Sequence, residues 1–165
     1  MTKTKLKSLH IALSPDFQVH QELLNSLGYC LAKSSQLIKE RFDQELEKYH
    51  IVTAQSGILT ILMKEAPINQ LDLGTKIGID KATMVKLIDG LEELQYVERT
   101  VDENDRRAKL LTLTKEGKKL VKIIIEKRHE IEEDLLSEFN KKEREEIRSY
   151  LSKMLIGFNR KRRVK

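Results

Sequence analysis

The sequence predicts a mainly α-helical fold with one small β-hairpin, and three observations carry that expectation. Apolar residues recur at steps of three and four through most of the 165 residues. The period changes only around residues 96–101 and 109–113, where two short β-prone runs flank a polar stretch. Capping residues (Asn, Asp and Thr) stand directly ahead of the periodic segments. The length suits one domain with a respectable core. A hydrophobic fraction of 39% beside 35% charged residues suits long helices with one wet face, or a chain that completes its core with a partner.

In chain order, residues 1–16 read as an arm, with one short apolar turn (Leu9, Ile11, Leu13) before Ser14-Pro15-Asp16. Residues 17–49 predict one long amphipathic helix on Leu23, Leu24, Leu27, Leu31, Ile38, Phe42, Leu46 and Tyr49. Gly28 weakens it by about 1 kcal/mol relative to Ala. Thr53 reads as the N-cap of a second helix that buries Ile58, Leu59, Ile61, Leu62 and Met63 and ends at Pro67. Asn69 with Asp72 caps a short helix over 69–77 that stops at Gly78. Asp80 caps the next, running to about residue 95, with Met84, Leu87, Ile88, Leu91 and Leu94 inward. After the hairpin, Thr114 caps a helix to about residue 139, striped by Leu120, Ile124, Ile131, Leu135 and Phe139. Asn140 with Glu143 caps a last helix that carries Ile147, Tyr150, Leu151, Met154, Leu155 and Phe158.

Composition excludes several function classes. No apolar run approaches the roughly 20 residues of a membrane span, and no signal-peptide core follows the start, so a soluble, cytoplasmic protein without membrane association is expected. Cys30 is alone, and His10, His20, His50 and His129 are scattered, so neither a disulfide framework nor a metal site is expected. No catalytic triad, phosphate loop or carboxylate pair stands out, so no enzyme and no cofactor are expected. The net charge of +5 sits at the ends: Lys3, Lys5, Lys7, Arg160, Lys161, Arg162, Arg163 and Lys165 leave residues 8–159 at a net −3. Such basic ends either solubilise the chain or contact phosphates.

The informative stretch is 53–117: helix, short helix, tight turn, helix, hairpin, capped helix. Two short helices joined by Gly78-Ile79-Asp80 have the proportions of a helix-turn-helix, and a hairpin behind the second supplies a wing. The second helix of such a pair enters the major groove, so its first turn must offer groups that reach base edges and phosphates. Here Lys81, Ala82, Thr83 and Lys86 share an outward face. Thr83 can donate to or accept from a base edge, and its methyl can touch a thymine methyl; Lys86 suits a phosphate or guanine.

The run INQLDLGTKIGIDKATMVKLIDGLEELQYVERTVDENDRRAKLLTLTKEG, residues 68–117, resembles the core of the MarR family. The family's wing, D-x-R followed by L-T-x-x-G, stands here as Asp105-Arg106-Arg107 and Leu113-Thr114-Lys115-Glu116-Gly117. The resemblance implies a winged helix-turn-helix regulator that binds double-stranded DNA as a homodimer on a pseudo-palindromic operator, more often as a repressor, and is released by a small aromatic or other effector. It also implies that Arg107 enters the minor groove, that Asp105 orients it, and that Arg106 lies along the backbone. Asn69 and Gln70 then bond phosphates, while Thr83 and Lys86 read bases and backbone. Lys86 stands where Arg is common, Gly90 where a basic or polar side chain is common, and Gln95 where Gly precedes the hydrophobic-Val step. Arg99 and Lys109 are read as strand-face solubilisers or phosphate neighbours.

The expected organisation is an arm (1–16), a helical dimerisation region (17–50 and 118–160), a winged helix-turn-helix domain (51–117) and a basic tail (161–165). The stripe on 17–49 is longer than the 53–113 core can cover, and pairing with 114–158 of a second copy buries it. An effector pocket is expected where the first long helix, the second helix and the helix after the wing meet, near Tyr29. Two alternatives stay open. One is a winged helix that binds protein instead of DNA; the other is a thiol-based redox sensor acting through Cys30, which otherwise reads as a small buried hydrophobe.

Overall fold

The computed structural model describes residues 19–101 and 109–163, the side chains of 159–163 excepted. The chain divides into two units, Met1–Gln36 and Leu37–Lys165, with the division inside one helix. In the first, α1 (Gln21–Leu24) is a single turn, and α2 (Leu27–Glu47) starts after a break at Asn25-Ser26. The continuous helix predicted over 17–49 is therefore interrupted. The Ser26 hydroxyl accepts the Tyr29 N–H at 3.3 Å, and that local bond serves the start of α2 instead of a through-running helix. Leu23, Leu24 and Leu27 are exposed.

The second unit comprises the rest of α2, then α3 (Thr53–Glu65), β1 (Ile68–Asn69), α4 (Gln70–Ile77), α5 (Lys81–Glu93), β2 (Val97–Val101), β3 (Lys109–Leu113), α6 (Lys115–Leu135) and α7 (Lys141–Arg163). One core joins Phe42 and Leu46 of α2 to Ile58, Leu59 and Leu62 of α3, Met84, Ile88 and Leu91 of α5, and Leu120, Val121 and Ile124 of α6. The hairpin grows into a three-stranded antiparallel sheet in the order β1-β3-β2, with Ile68 opposite Leu111 and Arg99 opposite Leu111 on its other side. A two-residue strand has no period to read, so β1 escapes sequence reasoning.

Thr53 is not the N-cap of α3. Val52 occupies that position and offers no side-chain acceptor. The Asp43 carboxylate of α2 serves instead: its Oδ1 accepts the Thr53 N–H at 3.1 Å and the Thr53 hydroxyl at 2.6 Å. Gln55 reaches back to the Val52 N–H at 3.0 Å and donates to the Leu87 carbonyl of α5 at 3.2 Å, tying three segments with one buried amide.

The other caps stand as predicted. Thr114 accepts the Gly117 N–H at 3.0 Å, and Asn140 and Glu143 exchange reciprocal bonds of 3.1 and 2.8 Å. α6 stops at Leu135, short of residue 139, and Arg144 of α7 closes the corner by donating to the Phe139 carbonyl at 2.8 Å and pairing with Glu133. None of the described α7 side chains is buried. No helix among the described residues is long and apolar enough to cross a membrane.

Candidate nucleic-acid interface

α4 and α5 form a tight pair because two glycines permit it. Gly78 takes a left-handed conformation (φ 77°) and ends α4, with its N–H on the Gly74 carbonyl at 2.8 Å. A Cβ on Gly74 would stand 3.2 Å from the Ile79 carbonyl, so a side chain there crowds the turn. Met84, Ile88 and Leu91 anchor α5 in the core, which leaves Lys81, Ala82, Thr83 and Lys86 exposed together on its outer face, as predicted. A groove of about 780 Å³ runs between α4 and the start of α5, with Asn69 and Gln70 on one wall, Lys81 on the other and Lys109 of β3 at its edge.

Asp80 shapes this turn more than a cap alone would. Its Oδ1 accepts the Thr83 N–H at 3.0 Å and its Oδ2 accepts the Thr83 hydroxyl at 2.7 Å. The hydrogen bond from that hydroxyl, with the backbone bond beside it, holds the Asp80 carboxyl below the usual carboxylate range. The Thr83 hydroxyl thus donates to Asp80 in this structure while the residue itself stays exposed. Such a group accepts from an adenine N6 or cytosine N4 amine or touches a thymine methyl. Asn69 is similarly committed, since Oδ1 accepts the Asp72 N–H at 2.9 Å and Nδ2 donates to Asp72 Oδ2 at 2.8 Å.

The L-T-x-x-G motif has a steric explanation. The Thr114 hydroxyl donates to the Gln95 carbonyl at 2.7 Å while capping α6. A Cβ on Gly117 would lie 2.0 Å from the Tyr96 carbonyl oxygen, so only glycine lets α6 start this close to the base of the wing. α5 ends at Glu93, and Gln95 takes the left-handed conformation (φ 59°) despite its side chain. The Tyr96 N–H returns to the Leu91 carbonyl and the Gln95 N–H to the Glu92 carbonyl, both at 2.9 Å, closing a Schellman motif.

Three residues sit differently from expectation. Arg99 is neither a solubiliser nor poised toward phosphates: it pairs with Asp89 at 2.6 Å and with Glu92, both on α5. Gly90 faces the Gln55 amide, 3.0 Å from where its Cβ would be, so a side chain there would point at α3 instead of outward. Cys30 is half-buried, and its thiol donates to the Leu24 carbonyl at 3.4 Å. Asp105, Arg106 and Arg107 lie outside the described residues, within 102–108 between β2 and β3 in the sequence. Asp-x-x-Thr at 80–83 was the signal for the Asp80–Thr83 bond; Arg99 gave none, because its partners lie seven and ten residues away.

The MarR family model matches residues 53–109, which run from the start of α3 to the first residue of β3. The HTH-type transcriptional regulator YwoH of Bacillus subtilis (strain 168), itself uncharacterized, is 31% identical over 138 residues, covering 84% of this chain and 96% of its own. The crystal structure of a MarR transcriptional regulator from Methanosarcina mazei Go1 superposes with a TM-score of 0.75 at 31% identity, covering 81% of this chain and 96% of that one. The S. aureus MepR–DNA complex superposes with a TM-score of 0.72 at 29% identity, covering 80% and 98%. YwoH and the M. mazei protein are both named as transcriptional regulators. The chain belongs to the MarR family of winged helix-turn-helix transcriptional regulators.

Proposed function

We propose that the protein is a cytoplasmic homodimeric repressor that reads a pseudo-palindromic operator with α5 and leaves it when a small aromatic or other effector binds. The observation that carries this reading is the first turn of α5, where Asp80 holds Thr83 outward between the exposed Lys81, Ala82 and Lys86. A helix presented this way fits the roughly 12 Å major groove, with Thr83 at a base edge and Lys81 and Lys86 at phosphates or guanine. Gln70 and the Asn69-capped start of α4 then approach the backbone. At the wing tip, Arg107 enters the minor groove, Asp105 orients it and Arg106 follows the backbone. The MepR complex with DNA supports this use of the shared fold.

The dimer rests on unfinished surfaces. Tyr150, Leu151, Leu155, Ile156 and Phe158 of α7 are exposed, as are Leu23, Leu24 and Leu27 of the first unit. A second copy that covers them sets two α5 helices about one DNA turn apart. An effector that alters that separation by a few ångströms costs one half-site, and a differential affinity of about 1–3 kcal/mol suffices for a switch. The test is selection of bound duplexes from a random pool at stated salt, repeated with Arg107→Ala. A two-fold motif that the variant fails to recover is the expected result. Uniform enrichment of all DNA, unchanged by the variant, would overturn the proposal.

A further inference from the structure

We infer that Arg99 is a positioning residue for DNA reading: its guanidinium ties the strand leading to the wing tip to the outer face of α5. The inference rests on the DNA-binding reading above, and it concerns a residue that touches no DNA. The Arg99 side chain is 15% exposed, with Nη2 2.6 Å from Asp89 Oδ1 and Nη1 on Glu92. With both nitrogens engaged at the edge of a helix, its fork is unavailable to a phosphate. Asp89 and Glu92, at 56% and 41% exposure, stay wet, so the charge that is withdrawn from solvent is the arginine's own.

The location gives the contact its consequence. Arg99 lies two residues before the end of β2 at Val101, just ahead in sequence of residues 102–108, which carry the proposed minor-groove contact. Asp89 follows Lys86 by three residues on α5, which places it one turn beyond the groove-facing side chains. Below this level the wing is held at its base, where the Tyr96 N–H meets the Leu91 carbonyl and Val97 is buried. Among the described residues, Arg99 makes the only side-chain hydrogen bonds or ion pairs between α5 and the two wing strands. A finger pinned only at its base pivots; one pinned again near its middle keeps a fixed distance from the helix beside it. Simultaneous reading of a major groove and the neighbouring minor groove needs that distance fixed.

The contact also separates geometry from charge. Asp89 and Glu92 lie on the helix that approaches a polyanion, so removing them should strengthen DNA binding if charge alone mattered. If they hold Arg99, removing them should weaken operator binding instead.

Operator duplex from the random-pool selection and an unrelated duplex are titrated with wild type, Arg99→Gln, Arg99→Lys and the double variant Asp89→Asn/Glu92→Gln, across a salt series. Active fractions come from stoichiometric titration, so a misfolded fraction is not read as weak binding. For Arg99→Gln and for the double variant, the expected loss of operator affinity is on the order of tenfold with the salt slope unchanged, while unrelated DNA is bound as before or slightly less tightly by Arg99→Gln and as before or more tightly by the double variant. Arg99→Lys keeps the charge and loses the fork, and retains only part of the operator preference. Minor-groove protection at the outer base pairs should fade while major-groove protection stays. A salt slope reduced by about 0.9 in Arg99→Gln would make Arg99 a phosphate contact and overturn the inference. So would tighter operator binding by the double variant, or equal losses on both duplexes. A wild-type protein that does not distinguish the duplexes overturns the DNA-reading proposal itself, a separate failure.

Discussion

The helix-turn-helix and the C-terminal helix α7 solve the problem of an amphipathic stripe in opposite ways. On α5, Met84, Ile88 and Leu91 are all buried under α3, α4 and the sheet, and the polar face is what remains outside. On α7, Tyr150 and Leu155 are 63% and 67% exposed, and the helix meets α6 through the ion pairs Arg144–Glu133 and Arg148–Glu132. The sequences have similar periodicity, but only the first finds its cover within one chain. A stripe that folds against its own domain fixes which face stays outside; a stripe left open is, on the proposed reading, what a second copy covers.

The largest test of the closed region is Gly117→Ala. With Tyr96 O only 2.0 Å from the new Cβ, the start of α6 must move off the base of the wing, and urea denaturation should show a loss of about 4 kcal/mol. A loss under about 1 kcal/mol would mean the corner is slack.

Leu91→Ala should cost about 3 kcal/mol by the same assay, as for a buried leucine that leaves a cavity. Leu155→Glu should barely change the unfolding of dilute protein, yet raise the dimer dissociation constant by on the order of tenfold in sedimentation equilibrium. Equal association by both proteins breaks the contrast between the two helices.

Asp43 tests how α2 supports α3. Burial opposes its ionisation, but hydrogen bonds from Lys39 and Thr53 outweigh that and hold its carboxyl below the usual range. A depressed folded pKa means stability that is present above the ordinary aspartate range and is lost as pH falls through the lowered value. Asp43→Asn should therefore cost about 1 kcal/mol at neutral pH and flatten the acid limb of a stability–pH curve. An acid limb identical to wild type would place the support elsewhere.

The smallest effect is a gain. Gln95→Gly relieves a left-handed residue at the end of α5 and should stabilise by about 0.5–1 kcal/mol without altering DNA binding.

What was legible from sequence was local. Asn69, Asp80, Thr114 and the Asn140–Glu143 pair each announce a helix start because cap and recipient lie three residues apart. The outward set on α5 was legible for the same reason, since period alone separates Thr83 and Lys86 from Met84 and Ile88. Contacts made across the fold were not. Asp43 caps a helix ten residues away, so the local pattern points to Thr53, which only resembles a cap. Arg99 finds its carboxylates on another element, and β1 exists only because β3 lies beside it. The break at Asn25-Ser26 was legible in principle, but an apolar stripe running through it argued louder.

The central claim is that the first turn of α5 reads bases through the Thr83 hydroxyl oxygen, whose proton Asp80 accepts. Thr83→Val keeps the shape and the methyl while removing that oxygen, so affinities for the selected operator and its single-base variants test it directly. The account predicts that discrimination collapses at one symmetry-related pair of positions, by about 1 kcal/mol or more, and persists at all others. A Thr83→Val protein with the same base preferences at every position would contradict it.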